Sequence, residues 1–259
     1  MSRKLSVPLT LALLGAVILL FLINPTYSAN ETAQRLWESL LYRLLGSGVL
    51  ILLLLDFGFL VFGTPKVKSL CILLPCFAVA INNLPVLSLI DGDAYLTQPS
   101  LIWLFALDCL AVSLFEELAF RGLLLPVLLK STKGRSASVF WSVVCSSALF
   151  GAFHLLNLLE GASLGATALQ VGYSFLIGGM CAVAFLKTKN LLFCIPIHAV
   201  YNLCGGLLPT LGAGSWWDMP TVILTAVLGV VVFVLMLWVL LRMRWEEIRF
   251  LYRDDEKNT

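Results

Sequence analysis

The chain has 259 residues, of which 60% are hydrophobic and only 12% charged, with a mean hydropathy of +0.97 and a formal net charge of +2. A soluble domain carries about a quarter charged residues, so this chain has too little polar surface to cover a globule in water. These figures exclude a soluble globular protein, a disordered chain and a secreted disulfide scaffold. At roughly 20 apolar residues per span, about eight spans would use nearly all the apolar positions. The expected fold is all-α: a polytopic membrane protein with about eight transmembrane helices, forming one integral membrane domain over 1–259.

In chain order, apolar runs fall at about 7–23, 44–63, 69–90, 99–127, 137–158, 164–186, 190–211 and 219–241. The first follows Arg3 and Lys4 and ends at Phe21-Leu22-Ile23-Asn24-Pro25. It lacks a small-x-small cleavage pattern, which predicts a retained helix rather than a signal peptide. Segments one, three, five, seven and nine between the runs hold Arg3/Lys4, then Lys66/Lys68, then Lys130/Lys133/Arg135, then Lys187/Lys189, then Arg242/Arg244/Arg249/Arg253/Lys257. That is fourteen of the 17 basic residues. The positive-inside rule then puts both termini and every basic loop in the cytoplasm, and an even span count agrees.

Short basic clusters between apolar runs are not a nucleic-acid footprint. Trp37, Trp216, Trp217 and Trp245 are expected near membrane interfaces. The tail Arg242–Arg253 mixes arginines with Trp245, Ile248, Phe250, Leu251 and Tyr252. Two readings of it stand open, a segment lying on the cytoplasmic leaflet and a fraying helix end. The seven cysteines form no CxxC and share no metal spacing with a histidine, so they read as small buried hydrophobes.

Three basic residues escape the clusters. Arg35 is expected in an outer loop, and Arg43 at the edge of the second span, where its stem could snorkel. Arg121 lies deeper, in Ser113-Leu114-Phe115-Glu116-Glu117-Leu118-Ala119-Phe120-Arg121-Gly122. Two adjacent carboxylates in a bilayer-crossing helix cost several kcal/mol unless paired or facing a polar cavity. Four-residue spacing puts Arg121 on the face of Glu117, whereas Glu116 is rotated by about 100° without a local partner. Glu117 therefore reads as structural and Glu116 as available for chemistry.

The two histidines of the chain, His154 and His198, both lie in apolar runs, and Asn202 is one turn beyond His198. Buried polar groups need partners, so these residues and Glu116 can serve one another on three helices. A polar cluster that merely glues helices is the competing account. Asp56 and Asp108 read as isolated structural carboxylates, although Asp108 could line the cavity of Glu116. Asn82, Asn83 and Pro85 predict a broken third span, and Gly178-Gly179 and Gly205-Gly206 predict close helix packing. Asn30-Glu31-Thr32 fits a glycosylation acceptor.

A carboxylate and an imidazole sharing a water can deprotonate it for attack on a carbonyl. A second imidazole and an amide can donate to the developing oxyanion. Two histidines and a glutamate would also suffice for catalytic zinc. HExxH is absent, however, and Asn202 is a poor ligand, so a metal-free site with no cofactor is favoured over a zinc site.

The ordered set Glu116-Glu117-x-x-x-Arg121, Phe150-x-x-x-His154 and His198-x-x-x-Asn202 resembles the CPBP family, which includes CAAX prenyl endopeptidases and relatives linked to bacteriocin processing and self-immunity. The resemblance covers residues 99–211, expected to carry the catalytic core. It implies that Glu116 and His154 activate water, His198 and Asn202 form the oxyanion hole, and Glu117 and Arg121 brace the site. It further implies a glutamic-type intramembrane endopeptidase without a metal. The expected partners are membrane lipid and a peptide or lipid-modified protein substrate, with no nucleic acid. The expected location is a bacterial inner membrane, or the ER membrane in a eukaryote. The rivals are a non-catalytic scaffold or immunity protein, a zinc-dependent version of the protease, and a transporter relaying protons through Glu116 and Asp108. Straight helices rising about 1.5 Å per residue from a common plane would put Glu116, His154 and His198 at unequal depths of roughly 21, 27 and 12 Å, which is at odds with one shared site.

Overall fold

Inside a bilayer, backbone N–H and C=O groups must be satisfied within the protein, and helices do this for long apolar runs. The computed structural model describes residues 3–23, 25–133, 135, 137–215 and 218–252. In chain order the helices are α1 (Arg3–Ile23), α2 (Glu31–Phe57), α3 (Leu73–Asn82), α4 (Val86–Ile90), α5 (Ile102–Glu117), α6 (Leu125–Thr132), α7 (Ser138–Phe153), α8 (Leu164–Thr188), α9 (Cys194–Leu211), α10 (Met219–Leu241) and α11 (Trp245–Ile248). A π-wound stretch, Leu118–Leu124, links α5 to α6, and short 3-10 segments flank several helices. Each of the eight apolar runs contains helix, although the second, 44–63, leaves helix after Phe57. Among the described residues, Glu31–Phe57, Ser138–Leu158, Leu164–Thr188, Leu191–Leu211 and Met219–Leu241 are long and apolar enough to cross a membrane. Leu11–Leu20 and Val67–Asn82 are shorter apolar stretches. Asn24, Trp216, Trp217, Arg253 and Lys257 lie outside the described residues.

The chain forms two compact units. The first comprises Met1–Gly58, Phe77–Leu118 and Ile195–Gly229. Its helix α2 starts at Glu31, where the Asn30 side chain accepts from the Ala33 amide at 2.9 Å as an N-cap and donates to Gln98 at 2.9 Å. Arg35 is therefore helical rather than in an outer loop, and Arg43 lies well inside α2 rather than at a span edge. Glu31, Arg35, Glu38 and Arg43 depress the hydropathy of the first turns and hide the helix from an apolar-run search. Arg43 is engaged within the protein. Its guanidinium donates to Ser39 Oγ at 2.9 Å, and Ser39 in turn donates to Asp108 on α5. Asp108 is thus the satisfied structural carboxylate that the sequence favoured.

Between the same two helices, Leu36 and Leu40 pack with Leu104, Phe105 and Cys109 to form the buried core of this unit. The strands β1 (Ala94–Leu96) and β2 (Gly212–Gly214) pair antiparallel, Ala94 opposite Gly214 and Leu96 opposite Gly212. Gly214 has φ +97°, and a Cβ there would overlap the Asp93 carbonyl, so the position requires glycine. The predicted break in the third run is present. Helix α3 ends at Asn82 and α4 begins after Pro85. Asn82 donates to Thr225 at 2.8 Å, and Asn83 donates to the Tyr201 carbonyl at 3.2 Å.

The second unit comprises Phe59–Cys76, Ala119–Cys194 and Val230–Thr259. Helices α7 and α8 approach closely at Gly151, where a Cβ would stand 2.8 Å from the Val171 carbonyl oxygen. The tail is neither spread on a lipid surface nor frayed. Ile248 and Leu251 are fully buried, Trp245 stacks on Tyr252, and the Tyr252 hydroxyl donates to the Pro126 carbonyl at 2.8 Å. Ile248, Leu251 and Tyr252 fill protein space instead. The tail is also pinned by an ion pair of 2.6 Å between Lys187 and Glu247. Partial burial pushes the Glu247 carboxyl up, but the bonds and charge of Lys187, with Arg244 adding to them, outweigh it and hold the group below the usual carboxylate range. The segment before α3 is stitched to the turn after α8, since the Gly63 amide donates to the Lys189 carbonyl at 2.8 Å and Asn190 returns a bond to the Gly63 carbonyl at 2.8 Å. Lys133 stands 5.8 Å from the Trp245 ring centre. The third, fifth, seventh and ninth connecting segments, all basic, thus collect in one region of this unit.

Replacing Gly151 with alanine forces a methyl against a backbone oxygen that cannot swing away. An overpacking cost of about 1–3 kcal/mol is expected, read as a lower melting temperature in detergent. Gly172→Ala, which meets no atom within 4 Å, should leave the melting temperature unchanged or raise it.

Candidate active site

Helices α5 and α9 both lie in the first unit, apart from Cys194 at the start of α9. Residues four apart on a helix share a face, which sets Ser113 with Glu117 on α5 and His198 with Asn202 on α9. The structure joins them in two rungs. His198 Nδ1 meets Glu117 Oε1 at 2.9 Å, and Asn202 Nδ2 donates to Ser113 Oγ at 3.4 Å. One turn forward on α5 corresponds to one turn back on α9, so the helices run antiparallel. Glycine permits the approach, because a Cβ on Gly206 would stand 2.8 Å from the ring of Phe105. Gly205 leaves the space taken by the Asn83 amide.

His198 bridges both glutamates. Its Nε2 lies 3.5 Å from Glu116 Oε2 while Nδ1 holds Glu117. A carboxylate accepts, so Nδ1 carries a proton and the ring plane is fixed with Nε2 aimed at Glu116. Glu117 is 0% and His198 3% exposed, so this is an ionisable cluster withdrawn from bulk solvent. Glu116, which has no local partner on its own helix, contacts His198, 82 residues on in the chain, as expected of a group these residues could serve.

The remaining expected residues belong to the second unit. His154 follows the last residue of α7 and opens a 3-10 turn, His154–Leu158. Its Nδ1 lies 3.0 Å from the Phe150 carbonyl. A carbonyl can only accept, so Nδ1 is the protonated nitrogen and the lone pair of the neutral ring sits on Nε2. The rings of Phe150 and Phe153 stand edge-on to the imidazole, with centroids at 5.2 and 6.4 Å. Arg121 is buried, with its guanidinium carbon 4.3 Å from the Phe150 ring centre. Gly178 makes room beside it, since a Cβ there would come within 3.1 Å of Arg121 Nη2. The four-residue step from Glu117 to Arg121 assumed regular α-helix, but this stretch is π-wound, with bonds reaching five residues back.

Ser113 is the site residue that the sequence reading missed. Its signal was available, one turn before Glu117, mirroring Asn202 one turn after His198. Asp108 stands apart from the Glu/His group and instead borders a cavity of about 410 Å³ with Arg35, Ser39 and Thr210. The unequal depths estimated for Glu116 and His198 do not hold, because direct contact puts them at one level.

A metal would need three donors aimed at one point. Among the described residues no three His, Cys, Asp or Glu side chains are so arranged. Glu116 and Glu117 address opposite nitrogens of the same imidazole, so their geometry does not fit a shared ligand set.

Residues 98–204 match the family model described as type II CAAX prenyl endopeptidase Rce1-like. The match contains Ser113, Glu116, Glu117, Arg121, His154, His198 and Asn202. No curated protein and no solved structure matches the chain.

Removing the Glu117 carboxyl leaves His198 Nδ1–H buried without that acceptor. Glu117→Ala is expected to cost about 1–3 kcal/mol, visible in thermal unfolding, whereas Glu117→Gln keeps an acceptor and should lose clearly less.

Proposed function

We propose that this chain, a member of the CPBP/CAAX protease family through its residues 98–204, is an intramembrane endopeptidase that hydrolyses a peptide bond in a membrane-associated peptide or lipid-modified protein. The observation that carries this reading is the buried His198 held between Glu116 and Glu117, with Asn202 anchored one turn away. An ionisable cluster inside an apolar helix pair is costly, and such clusters mark function.

Glu116 acts as the base. It takes a proton from water as the water oxygen bonds to the substrate carbonyl carbon and the carbonyl electron pair moves to oxygen. Asn202 donates to that oxyanion with the amide hydrogen that Ser113 does not use. His198 donates from Nε2 in the state where both ring nitrogens carry protons, with Glu117 fixing its orientation. Collapse breaks the C–N bond, and the proton on Glu116 passes to the departing amine. The products are a carboxylate and an amine, with no electrons exchanged. Family resemblance gives His154 a share in activating the water, and its own hydrogen bond to Phe150 suits that task by leaving Nε2 with the lone pair. Glu117 and Arg121 are the bracing residues. No step passes through a metal or other cofactor.

The same reading takes the chain through the membrane eight times with both termini in the cytoplasm of a bacterial inner membrane. The gathering of four basic connecting segments in one region of the second unit supports it.

Glu116→Gln should lower cleavage of a membrane-anchored peptide by about 10²–10⁴-fold, and Asn202→Ala by about 10²–10³-fold in kcat, with normal melting temperatures. Undiminished function in Glu116→Gln would instead support a scaffold in which these groups only hold helices together. Cleavage should also persist in excess chelator; lasting inhibition that zinc reverses would overturn the metal-free mechanism.

A further inference from the structure

We infer that the second unit carries a site for the phosphate of an anionic phospholipid headgroup, formed by Lys66, Lys68, Lys187 and Lys189. These lysines line a cavity of about 340 Å³ together with Ser69 and Glu247. Four lysines and one glutamate line it, so the lining carries a formal excess of three positive charges. Glu247 is committed to Lys187 at 2.6 Å. Among the described residues, Lys66, Lys68 and Lys189 have no carboxylate partner. Like charges within one cavity repel, and a bound anion is what relieves them.

The convergence is built rather than incidental. The two lysine pairs are some 120 residues apart, and the backbone bonds joining Gly63 to Lys189 and Asn190 bring them together. A turn closed by Ser69, whose amide and hydroxyl both donate to the Lys66 carbonyl, shapes the near side. Lys189 has a left-handed backbone, φ +62°, and its ammonium lies 5.2 Å from the Phe250 ring centre, which orients it. Cations at the end of α8 also complement its C-terminal dipole, but half a charge does not call for two further lysines from a distant segment.

A lipid, rather than a free phosphate ion, is favoured by what surrounds the lysines. Val67, between Lys66 and Lys68, is 82% exposed, and Phe62, Leu74 and Leu192 are also exposed. The site sits at the end of α8, long and apolar enough to span. Ammonium groups bordered by exposed aliphatic and aromatic side chains at a span terminus match a phosphate with acyl chains beneath it.

The test uses the full chain purified in neutral detergent, with Lys66→Gln/Lys68→Gln as the variant; both side chains are exposed, so folding is retained. Phosphatidylglycerol should raise the melting temperature by several degrees and remain bound in native mass spectrometry several-fold more than phosphatidylcholine. The variant should lose that preference while melting normally in phosphatidylcholine, and Lys66→Arg/Lys68→Arg should keep it. Equal retention of the two lipids by the wild type, or a preference that survives in the glutamine variant, would overturn the site. A shift of the same size with inorganic phosphate alone would overturn the lipid assignment. None of these readouts depends on cleavage, so the site and the protease reading can fail separately.

Discussion

The constraint on which the first unit turns is that ionisable groups withdrawn from water must satisfy one another. Placing Glu116 and Glu117 side by side in an apolar helix is tolerable only if something nearby supplies donors in fixed positions. His198 does so through Nδ1, which donates to Glu117 at 2.9 Å, and this sets Nε2 3.5 Å from Glu116. The requirement then spreads along the chain. Helices α5 and α9 must run antiparallel at close range, which calls for Gly206 against Phe105 and Gly205 against Asn83. The Asn82–Pro85 break exists in the place where Asn83 can reach the Tyr201 carbonyl. A small number of polar contacts thus fixes the register of helices whose apolar surfaces, being alike, could slide past one another.

Much of this was legible in the sequence because a bilayer imposes a simple code of length and polarity. Eight apolar runs were read and each contains helix, although the run at 44–63 leaves helix after Phe57. Failures came where charge interrupts helix without ending it. Helix α2 begins 13 residues before the run at 44, since Glu31, Arg35, Glu38 and Arg43 lower its hydropathy, although the Asn30 cap was in plain view. Candidate site residues were recognisable by chemical type and spacing, but their pairing was not. Nothing local says that Glu117 rather than Glu116 takes the shorter bond to an imidazole 81 residues away. Nor does local pattern reveal that Arg43 turns back to Ser39 and that Asp108 is shared with it. The pitch change at Leu118–Leu124 is likewise silent in composition, because a π-wound stretch uses the same residues as an α-helix.

The two units use polar groups in different ways. In the first, two carboxylates and one imidazole contact one another in the interior. In the second, cations accumulate where connecting segments meet, and a docked tail supplies one carboxylate in return. Burial of Ile248 and Leu251 anchors that tail more firmly than its charges could, since exposed ion pairs contribute little. Arginines flanking such a tail invite a reading as a membrane-surface helix, yet its apolar side chains complete the interior of the protein.

The Asn30 side chain has a further consequence. Its sequence context, Asn30-Glu31-Thr32, is that of a residue to which carbohydrate is attached through Nδ2. In the fold that same nitrogen is engaged with Gln98, and Thr32 accepts from Gln98 as well. A sugar at this position would displace the clasp between the start of α2 and the approach to α5, while sparing the Oδ1 contact that begins the helix. The native packing and glycan attachment therefore compete for a single amide nitrogen, and the folded chain has already claimed it.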